Sequence, residues 1–276
     1  VRMRKRNFFV YSTSDTIEFA RCVAKRRRKK NENYIQSLRN GLVNSESLAQ
    51  TGCTPGENFA FILHGWRQTC ETEWVPLLIA KLATHRGGCI ICVDYAIFAQ
   101  DTYVRLLRKF EPIVDIVGDK IKYLMKYGLD PKQTFIFGFS FGGQLATAVG
   151  RTVIKKYLHF PSILACDMAG PGFDYRASQI DHRTSAQNVQ CIHTSRDRGT
   201  RYYNCHQDWR LGNCGYSQIA AIEPPRGSHG LCPYFYVSAF DHDFYATKMP
   251  PRCSSKRQAL FWPQNFKMGY MEHRKS

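Results

Sequence analysis

The chain has 276 residues, 43% of them hydrophobic, which is ordinary for a globular protein that buries a sizeable core. Lys and Arg number 39 against 22 Asp and Glu, so the formal net charge of +17 favours association with anionic surfaces such as phospholipid head groups, sulfated glycans or nucleic acid. No apolar run reaches the roughly 18 residues of a membrane span, and residues 1–20 lack the long apolar core of a signal peptide.

The densest cluster of charge is residues 25–30, KRRRKK. Such a run is compatible with a patch for anionic membranes or heparin, a nuclear-localisation-like signal, a processing site after paired basic residues, or a solvated helix end or loop. The basic residues of the chain are not interleaved with a nucleic-acid recognition motif, so we expect no nucleic-acid partner.

Eleven cysteines in a chain of this size predict disulfides formed in an oxidising compartment. Cys89 and Cys92 form the one C-x-x-C pair, but side chains alternate across a strand, which disfavours a shared metal site. The count is odd, so at least one thiol is unpaired or bonded elsewhere, and spacing alone does not determine the pairing.

Six apolar runs, taken in chain order, predict strands. They are residues 8–12 (FFVYS), 59–65 (FAFILHG), 89–95 (CIICVDY), 134–138 (TFIFG), 162–167 (SILACD) and 189–194 (VQCIHT). Continuous apolar runs, rather than strict alternation, are typical of parallel strands covered on both faces by helices. The pattern therefore predicts an α/β fold with a mostly parallel central sheet flanked by helices.

Two segments between these runs predict helices. Residues 113–127 carry apolar side chains at helical spacing and are followed by Gly128 and Pro131, and residues 144–157 predict a second helix packed on the sheet. We find no repeat or low-complexity linker, so we expect a single domain over residues 1–276. From about residue 197 the chain is rich in Cys, Gly, Pro, Arg and Tyr, which predicts long loops held by disulfides.

The stretch GFSFG, residues 138–142, lies between a predicted strand and a predicted helix. A serine at the apex of such a turn has an exposed hydroxyl, nearby backbone N–H groups and the positive potential of a helix N-terminus. The alternative is an ordinary Gly/Ser turn. The flanking strand and helix favour Ser140 as a nucleophile.

A nucleophilic serine requires a histidine base and an acid, which follow in the order Ser, Asp or Glu, His in folds with this turn. Asp167 directly ends a predicted strand downstream of Ser140 and is our first choice of acid, with Asp174 in the same loop as the alternative. For the base, His193 at the end of VQCIHT and His229 in GSHGLCPYF both remain open at this point.

Four other histidines are expected to have structural or surface roles: His64, His182, His206 and His242. The loop after an early strand normally supplies one oxyanion donor, and FILHGWRQT is such a loop. We therefore predict that the backbone N–H groups of Trp66 and Phe141 form the oxyanion hole.

These motifs together resemble the animal pancreatic-lipase family, within the α/β-hydrolase fold, and most of all its short insect lipases and venom phospholipases A1. The matching stretches are ILHGW, VDY, GFSFGGQL, CDMAGPGF, CIHTS followed by DRGT, and GSHGLCPYFYVSAF, which span about residues 6–245 in consistent order. The resemblance implies that the acid is Asp167, in the D-x-A-G-P segment, and that the base is His229 rather than His193.

The chain also departs from the family pattern. Phe139 and Phe141 flank the serine where the family usually has G-H-S-L-G, which bears on acyl-chain preference. Gly227 stands where many relatives have a lid cysteine, so the resemblance implies either a lid disulfide through Cys232 or none, and a short lid between Cys214 and Ser228.

Other family features are missing from the sequence. The acidic calcium ligands of the larger lipases are not reproduced in IDHRTSAQN, where Thr184 replaces a second Asp, and no C-terminal β-sandwich domain is expected. We expect no metal and no other cofactor.

The resemblance implies a secreted, extracellular serine esterase that cleaves lipid carboxylic esters through an acyl-enzyme on Ser140. Phospholipase A1 and triacylglycerol lipase activity remain alternatives, because the family contains both; short lids there accompany phospholipase A1 activity. Expected partners are a lipid substrate at an anionic membrane or lipoprotein surface and heparin-like glycans. A non-catalytic lipid-binding or yolk-like protein of the same fold is the rival hypothesis.

Overall fold

The computed structural model describes residues 53–154, 160–219 and 227–246, together with Cys253 and five short strand segments near the two ends of the chain. Its strands in chain order are β1 (Phe8–Tyr11), β2 (Thr16–Phe19), β3 (Cys22–Val23), β4 (Ile35–Gln36), β5 (Phe59–Leu63), β6 (Cys89–Val93), β7 (Thr134–Phe139), β8 (Ser162–Cys166), β9 (Asn188–His193), β10 (Gln207–Arg210), β11 (Phe244–Tyr245) and β12 (Lys267–Met268). The helices are α1 (Trp74–His85), α2 (Ala96–Ala99), α3 (Tyr103–Arg108), α4 (Phe110–Lys126), α5 (Phe141–Ile154), α6 (Gly227–Gly230) and α7 (Cys232–Ser238).

Eight strands form the central sheet in the order β10-β9-β8-β7-β5-β6-β3-β4. The six strands from β10 to β6 are parallel to one another, and β3 and β4 are antiparallel additions at the β6 edge. The predicted α/β fold with a mostly parallel sheet flanked by helices is therefore confirmed. The first predicted strand lies outside this sheet, because β1 pairs antiparallel with β2 in a separate two-stranded sheet.

The register aligns the carboxyl ends of the central strands. Leu63 of β5 pairs with Gly138 of β7, Phe139 pairs with Cys166 of β8, and Cys166 pairs with Ile192 of β9. The loops that follow these four strands consequently leave the sheet at one edge, where parallel sheets bind their ligands.

Helices cover both faces of the sheet because the buried side chains of each strand alternate in direction. On β5, Phe59, Phe61 and Leu63 join a cluster with α4 and α5, whereas Ala60 and Ile62 join a cluster with α1 and α7. All five side chains are almost completely buried. Each large apolar side chain buried in this way stabilises the fold by about 1.5–3 kcal/mol.

Both predicted helices are present with shifted bounds. Helix α4 spans Phe110–Lys126 and presents apolar residues at helical spacing to the core, and Gly128 follows it with φ +100°. Helix α5 starts at Phe141, directly after the serine, and is described as far as Ile154. The rest of the predicted 144–157 helix and the basic run 25–30 lie outside the described residues, and the single-domain extent over residues 1–276 stays a prediction.

Five disulfides connect ten cysteines within the described part of the chain. The pairs are Cys53–Cys89, Cys70–Cys92, Cys166–Cys232, Cys191–Cys205 and Cys214–Cys253. Cys89 and Cys92 lie on opposite faces of β6 and take different partners, as their alternation along a strand predicts. Among the helices of the described ranges, none combines the length and apolarity required to cross a bilayer.

Candidate active site

Ser140 occupies a sharp turn between the end of β7 and the start of α5. Its φ of +56° lies in the left-handed region that residues with a side chain rarely adopt. The turn is held by backbone hydrogen bonds: Ser140 N–H donates to Cys166 O over 2.9 Å, and Ser140 O accepts from Gly143 N at 2.9 Å and Ala169 N at 3.1 Å. This geometry directs the serine side chain toward the carboxyl edge of the sheet.

The two glycines of the G-F-S-F-G motif are required by close packing. A Cβ on Gly138 would overlap the carbonyl of Gly142, and a Cβ on Gly142 would overlap the carbonyl oxygens of Leu63 and His64. Because neither glycine carries a side chain, the first turn of α5 lies directly against the ends of β7 and β5.

Ser140, His229 and Asp167 form a continuous hydrogen-bonded chain. His229 Nε2 is 2.8 Å from Ser140 Oγ, and His229 Nδ1 is 2.6 Å from Asp167 Oδ2. Asp167 is fully buried and Ser140 is only 8% exposed. Because a carboxylate only accepts, Nδ1 carries the proton, and Nε2 of the neutral ring accepts from the serine hydroxyl.

The Asp167 carboxylate is surrounded by donors from the loop after β9. Its Oδ1 accepts from the N–H groups of Thr194 at 2.8 Å and Ser195 at 3.2 Å, and its Oδ2 accepts from Ser195 Oγ at 2.5 Å. Ser195 was missed by sequence reasoning. Its signals were its place at the end of the CIHTS stretch and its position just past a predicted strand, at the edge where the other loops meet.

The alternatives that the sequence left open have other partners. Asp174 accepts a 2.6 Å hydrogen bond from Thr200 Oγ1. His193 is buried, and its Nε2 lies 2.8 Å from Asp208 Oδ1. Neither residue takes part in the hydrogen bonds that link Ser140, His229 and Asp167.

Three of the histidines expected to be structural have contacts away from Ser140: His64 with Asp94, His182 with Thr147 and Arg151, and His206 with the N–H of Val189.

The loop after β5 lies against the nucleophile. A Cβ on Gly65 would be only 3.3 Å from Ser140 Cβ, so the backbone directly before Trp66 lies close to the serine. Gly65 N–H donates to Gln68 Oε1 over 2.9 Å, and Trp66 Nε1–H donates to Asp101 O over 2.8 Å. Gln68 is a second residue that sequence reasoning missed, and these bonds fix the loop beside Ser140.

The backbone N–H groups of Trp66 and Phe141 have no acceptor among the residues that the structure describes. Phe141 is the first residue of α5, and the first N–H groups of a helix have no intrahelical partner. One of these donors is at the first residue of a helix and the other is in the loop that lies against Ser140, and such a pair is suited to binding an oxyanion.

A partly buried carboxylate, that of Asp94, supports this loop. Asp94 Oδ1 accepts from His64 Nε2 at 3.2 Å and from Ala96 N at 2.9 Å, and its Oδ2 accepts from Cys70 N at 3.2 Å. Burial acts to raise the pKa of Asp94, but these hydrogen bonds and the nearby His64 ring outweigh it, so the pKa lies below its usual value.

The two phenylalanines beside the serine face different surroundings. The Phe139 ring lies 4.9 Å from the His229 ring and 5.9 Å from Trp74. Phe141 is fully buried and packs edge-on against Phe110 and Phe173, with ring centroids 5.6 and 5.8 Å apart. Phe139 therefore supports the histidine, while Phe141 belongs to an aromatic cluster on the opposite side of the serine.

Of the two alternatives that the resemblance left for the lid, the disulfide through Cys232 is wrong. Cys232 bonds to Cys166, the residue before Asp167, and Cys214 bonds to Cys253. Sequence spacing could not separate these pairings because both link segments that only the tertiary fold brings together. The central part of the implied lid, residues 220–226, lies outside the described residues.

Possible metal ligands are engaged otherwise. Asp181, in the segment compared with a calcium site, accepts two 2.8 Å hydrogen bonds from the Arg183 guanidinium, which lower the pKa of that carboxyl. Two clusters of the described residues bring cysteines close to an aspartate, one of them with a histidine as well, and their cysteines are all in disulfides, so they offer no thiolate. The clusters are His64, Cys70 and Asp94, and Cys191, Cys205 and Asp208.

A serine in a strand–turn–helix elbow, hydrogen-bonded through histidine to a buried aspartate at the carboxyl edge of a parallel sheet, is the arrangement of the α/β-hydrolases. The profile of the family described as Lipase matches residues 18–216, well over half of the chain. The chain belongs to this lipase family.

One curated relative is the pancreatic triacylglycerol lipase of Oryctolagus cuniculus, 28% identical over 161 residues, which are 54% of this chain and 33% of that protein. The chain thus spans about a third of the length of that relative. Similar solved structures include Est1E from Butyrivibrio proteoclasticus, with 11% identity, a TM-score of 0.35 and coverage of 58% of this chain and 50% of that one. A hyperthermophilic esterase from Pyrobaculum calidifontis has 20% identity, a TM-score of 0.31 and coverage of 42% and 38%.

Proposed function

We propose that this protein is a serine hydrolase of lipid carboxylic esters that works through an acyl-enzyme on Ser140. The observation that carries the proposal is the hydrogen-bonded chain from Ser140 Oγ through both ring nitrogens of His229 to Asp167. Membership of the lipase family supports the same chemistry.

Each residue has a defined role in the proposed reaction. His229 Nε2 would take the proton of Ser140 as Oγ attacks the ester carbonyl, and the protonated ring would then deliver that proton to the departing alcohol. Asp167 would hold the Nδ1–H tautomer and stabilise the positive ring. The N–H groups of Trp66 and Phe141 would bind the tetrahedral oxyanion, and water attacking the acyl-enzyme would repeat the sequence to release the fatty acid.

Three arginines support a lipid substrate at an anionic surface. Arg67, Arg176 and Arg196 are exposed and lie in the loops that follow β5, β8 and β9, the same loops that carry the proposed site. Their guanidinium groups lie over aromatic rings at 4.6, 5.1 and 4.6 Å from the ring centroids, in the pairs Arg67–Trp66, Arg176–Tyr175 and Arg196–Tyr216. Each basic residue near an anionic membrane contributes about 1 kcal/mol of attraction.

The experiment that tests this function is hydrolysis of a lipid panel by the parent protein and by Ser140→Ala. Ser140→Ala should lose about 10⁴ to 10⁶ in kcat, whereas Ser178→Ala, at an exposed serine, should retain activity. A Ser140→Ala protein as active as the parent would contradict the proposal. Release of the sn-1 chain from a phosphatidylcholine with two different chains supports phospholipase A1, and hydrolysis restricted to triacylglycerol supports a lipase.

A chemical label distinguishes the proposed hydrolase from the rival hypothesis, a non-catalytic lipid-binding protein. A serine-directed phosphonate should label the parent at Ser140 and leave Ser140→Ala unlabelled. Absence of labelling in the folded parent would favour the binding protein.

We also propose an extracellular, secreted location and binding to heparin-like glycans. The five disulfides support an oxidising compartment, and the net charge of +17 supports the glycan. The test compares the salt concentration that elutes the protein from immobilised heparin with the one that elutes it from a plain cation exchanger. Specific glycan binding requires the higher concentration on heparin, and equal or lower values would contradict it.

A further inference from the structure

Ser195 touches the Asp167 carboxylate at both of its oxygens. Its backbone N–H donates to Oδ1 over 3.2 Å, and its hydroxyl donates to Oδ2 over 2.5 Å. The same Oδ2 accepts the Nδ1–H of His229 at 2.6 Å. Ser195 is 2% exposed, so water does not compete for these contacts.

The direction of the Ser195 hydroxyl proton follows from its other neighbours. Gly199 N–H donates to Ser195 Oγ over 3.0 Å, and the Asp167 carboxylate can only accept, so the hydroxyl proton points to Asp167 Oδ2. The loop closes tightly around this group: a Cβ on Gly199 would lie 2.6 Å from Asp167 Oδ1 and 2.7 Å from Ser195 O. Ser195 Oγ is also 3.3 Å from His229 Nδ1. The Nδ1 atom of the ring therefore lies beside both Ser195 Oγ and Asp167 Oδ2.

We propose that Ser195 is a positioning residue that fixes the rotation of the Asp167 carboxylate and, through it, the orientation of the His229 ring. The inference rests on the proposed function, because orientation of the imidazole matters only if that ring moves protons. Without the hydroxyl, Oδ2 keeps His229 as its one side-chain donor and the carboxylate turns more freely, so the ring is aimed less accurately at Ser140. Hydrogen bonds to a charged group are the strong ones, so the effect should be measurable.

The kinetic test compares Ser195→Ala with Ser185→Ala in the full chain. Ser185 is also fully buried and hydrogen-bonded, at 3.1 Å to Arg151, but it does not touch the proposed site. Ser195→Ala should lower kcat for a soluble short-chain ester roughly ten-fold to hundred-fold with KM nearly unchanged. Ser185→Ala should retain the parent kcat even where its melting temperature falls.

A second pair guards against a loss of folding in Ser195→Ala. Ser195→Thr keeps the hydroxyl, and Ser195→Val has the shape of the threonine side chain without the hydroxyl. The threonine variant should have a kcat close to that of the parent, and the valine variant should be slower by the same factor as Ser195→Ala.

A measurement independent of turnover completes the test. The proton on His229 Nδ1, hydrogen-bonded to a carboxylate, should give a proton NMR signal far downfield of the amides in the folded parent. The signal should shift or broaden in Ser195→Ala and Ser195→Val but remain in Ser195→Thr and Ser185→Ala.

The outcomes separate this inference from the proposed function. If the parent hydrolyses esters while Ser195→Ala and Ser195→Val match it in kcat and retain its downfield signal, the positioning role is overturned and the proposed function stands. If the parent hydrolyses no ester, the proposed function fails, and the downfield signal alone decides the role of Ser195: an unchanged signal in the two hydroxyl-free variants overturns it.

Discussion

Cys166 and Cys232 join the strand that precedes the proposed acid to the helix that follows the proposed base. Cys166 is the last residue of β8, directly before Asp167, and Cys232 is the first residue of α7, three residues after His229. The bridge therefore spans the two sides of the His229–Asp167 hydrogen bond and limits how far the segments can separate.

Removal of this disulfide should impair hydrolysis beyond its effect on stability. The Cys166→Ala/Cys232→Ala protein opens a loop of 66 residues and should lose about 4 kcal/mol of unfolding free energy. The Cys53→Ala/Cys89→Ala protein opens a loop of 36 residues, of similar entropic effect, at the opposite end of the strands. Denaturant unfolding should give similar losses, with a fall in kcat confined to the first variant. Equal kcat values in the two folded proteins would contradict a role for the bridge in the site.

Asp167→Asn should reduce kcat about 10⁴-fold while leaving the fold intact, because an amide in place of the carboxylate favours the wrong tautomer of His229. Asp174→Asn is the matched control, since the sequence offered the same residue type in the same loop and the structure bonds it to Thr200 instead. Steady-state hydrolysis of a soluble ester by both variants measures the contrast. A larger loss in the Asp174 variant would reverse the assignment of the acid.

Gly65→Ala should lower kcat/KM by about 10² to 10³, the effect of removing an oxyanion donor. The backbone of Gly65 is outside the left-handed region, but an added methyl would lie 3.2 Å from Phe139 Cδ1 and 3.3 Å from Ser140 Cβ. It would therefore press the loop away from the serine.

The control for this prediction is Gly118→Ala, the same change in the middle of α4, where the methyl meets only ordinary contacts at 3.7 and 3.9 Å. That variant should be fully active and more stable by about 0.5–1 kcal/mol. The oxyanion role of the loop would be refuted by a Gly65→Ala protein with the parent kcat/KM.

His182 should make the protein sensitive to acid. Burial, reinforced by the charges of Arg151 and His193 and opposed by Asp181, lowers the pKa of His182 to about 3. The ring nitrogen Nδ1 lies 3.1 Å from Thr147 Oγ1 and 3.4 Å from the Arg151 guanidinium, which can only donate to it.

Between pH 6.5 and about 3 the unfolded chain binds a proton at His182 that the folded protein does not. Stability is therefore fully present above pH 6.5 and falls by about 1.4 kcal/mol per pH unit as the pH drops toward 3. His182→Asn retains an acceptor without a titrating ring, so its unfolding free energy should fall less steeply. Urea unfolding at several pH values checks this, and identical slopes for both proteins would rule it out.

The amino-acid sequence by itself determined the local features. The apolar runs predict β5 to β9, and the G-F-S-F-G turn predicts the elbow, because strand pattern, turn chemistry and helix start are encoded within a few neighbouring residues. Ser140 and Asp167 follow from the same logic, since Ser140 lies two residues after one predicted strand, Asp167 ends the next, and parallel strands align their carboxyl ends.

Only the tertiary structure decided which distant groups meet. His193 and His229 both satisfied the order of residues; His229 lies 89 positions from Ser140 and reaches it, while His193 turns to Asp208. The disulfide partner of Cys166 is 66 positions away in the chain, and the hydrogen bond from Ser195 to Asp167 spans 28 positions. Such contacts are set by how loops and helices pack around the sheet edge, and no short-range periodicity or spacing in the chain records that packing.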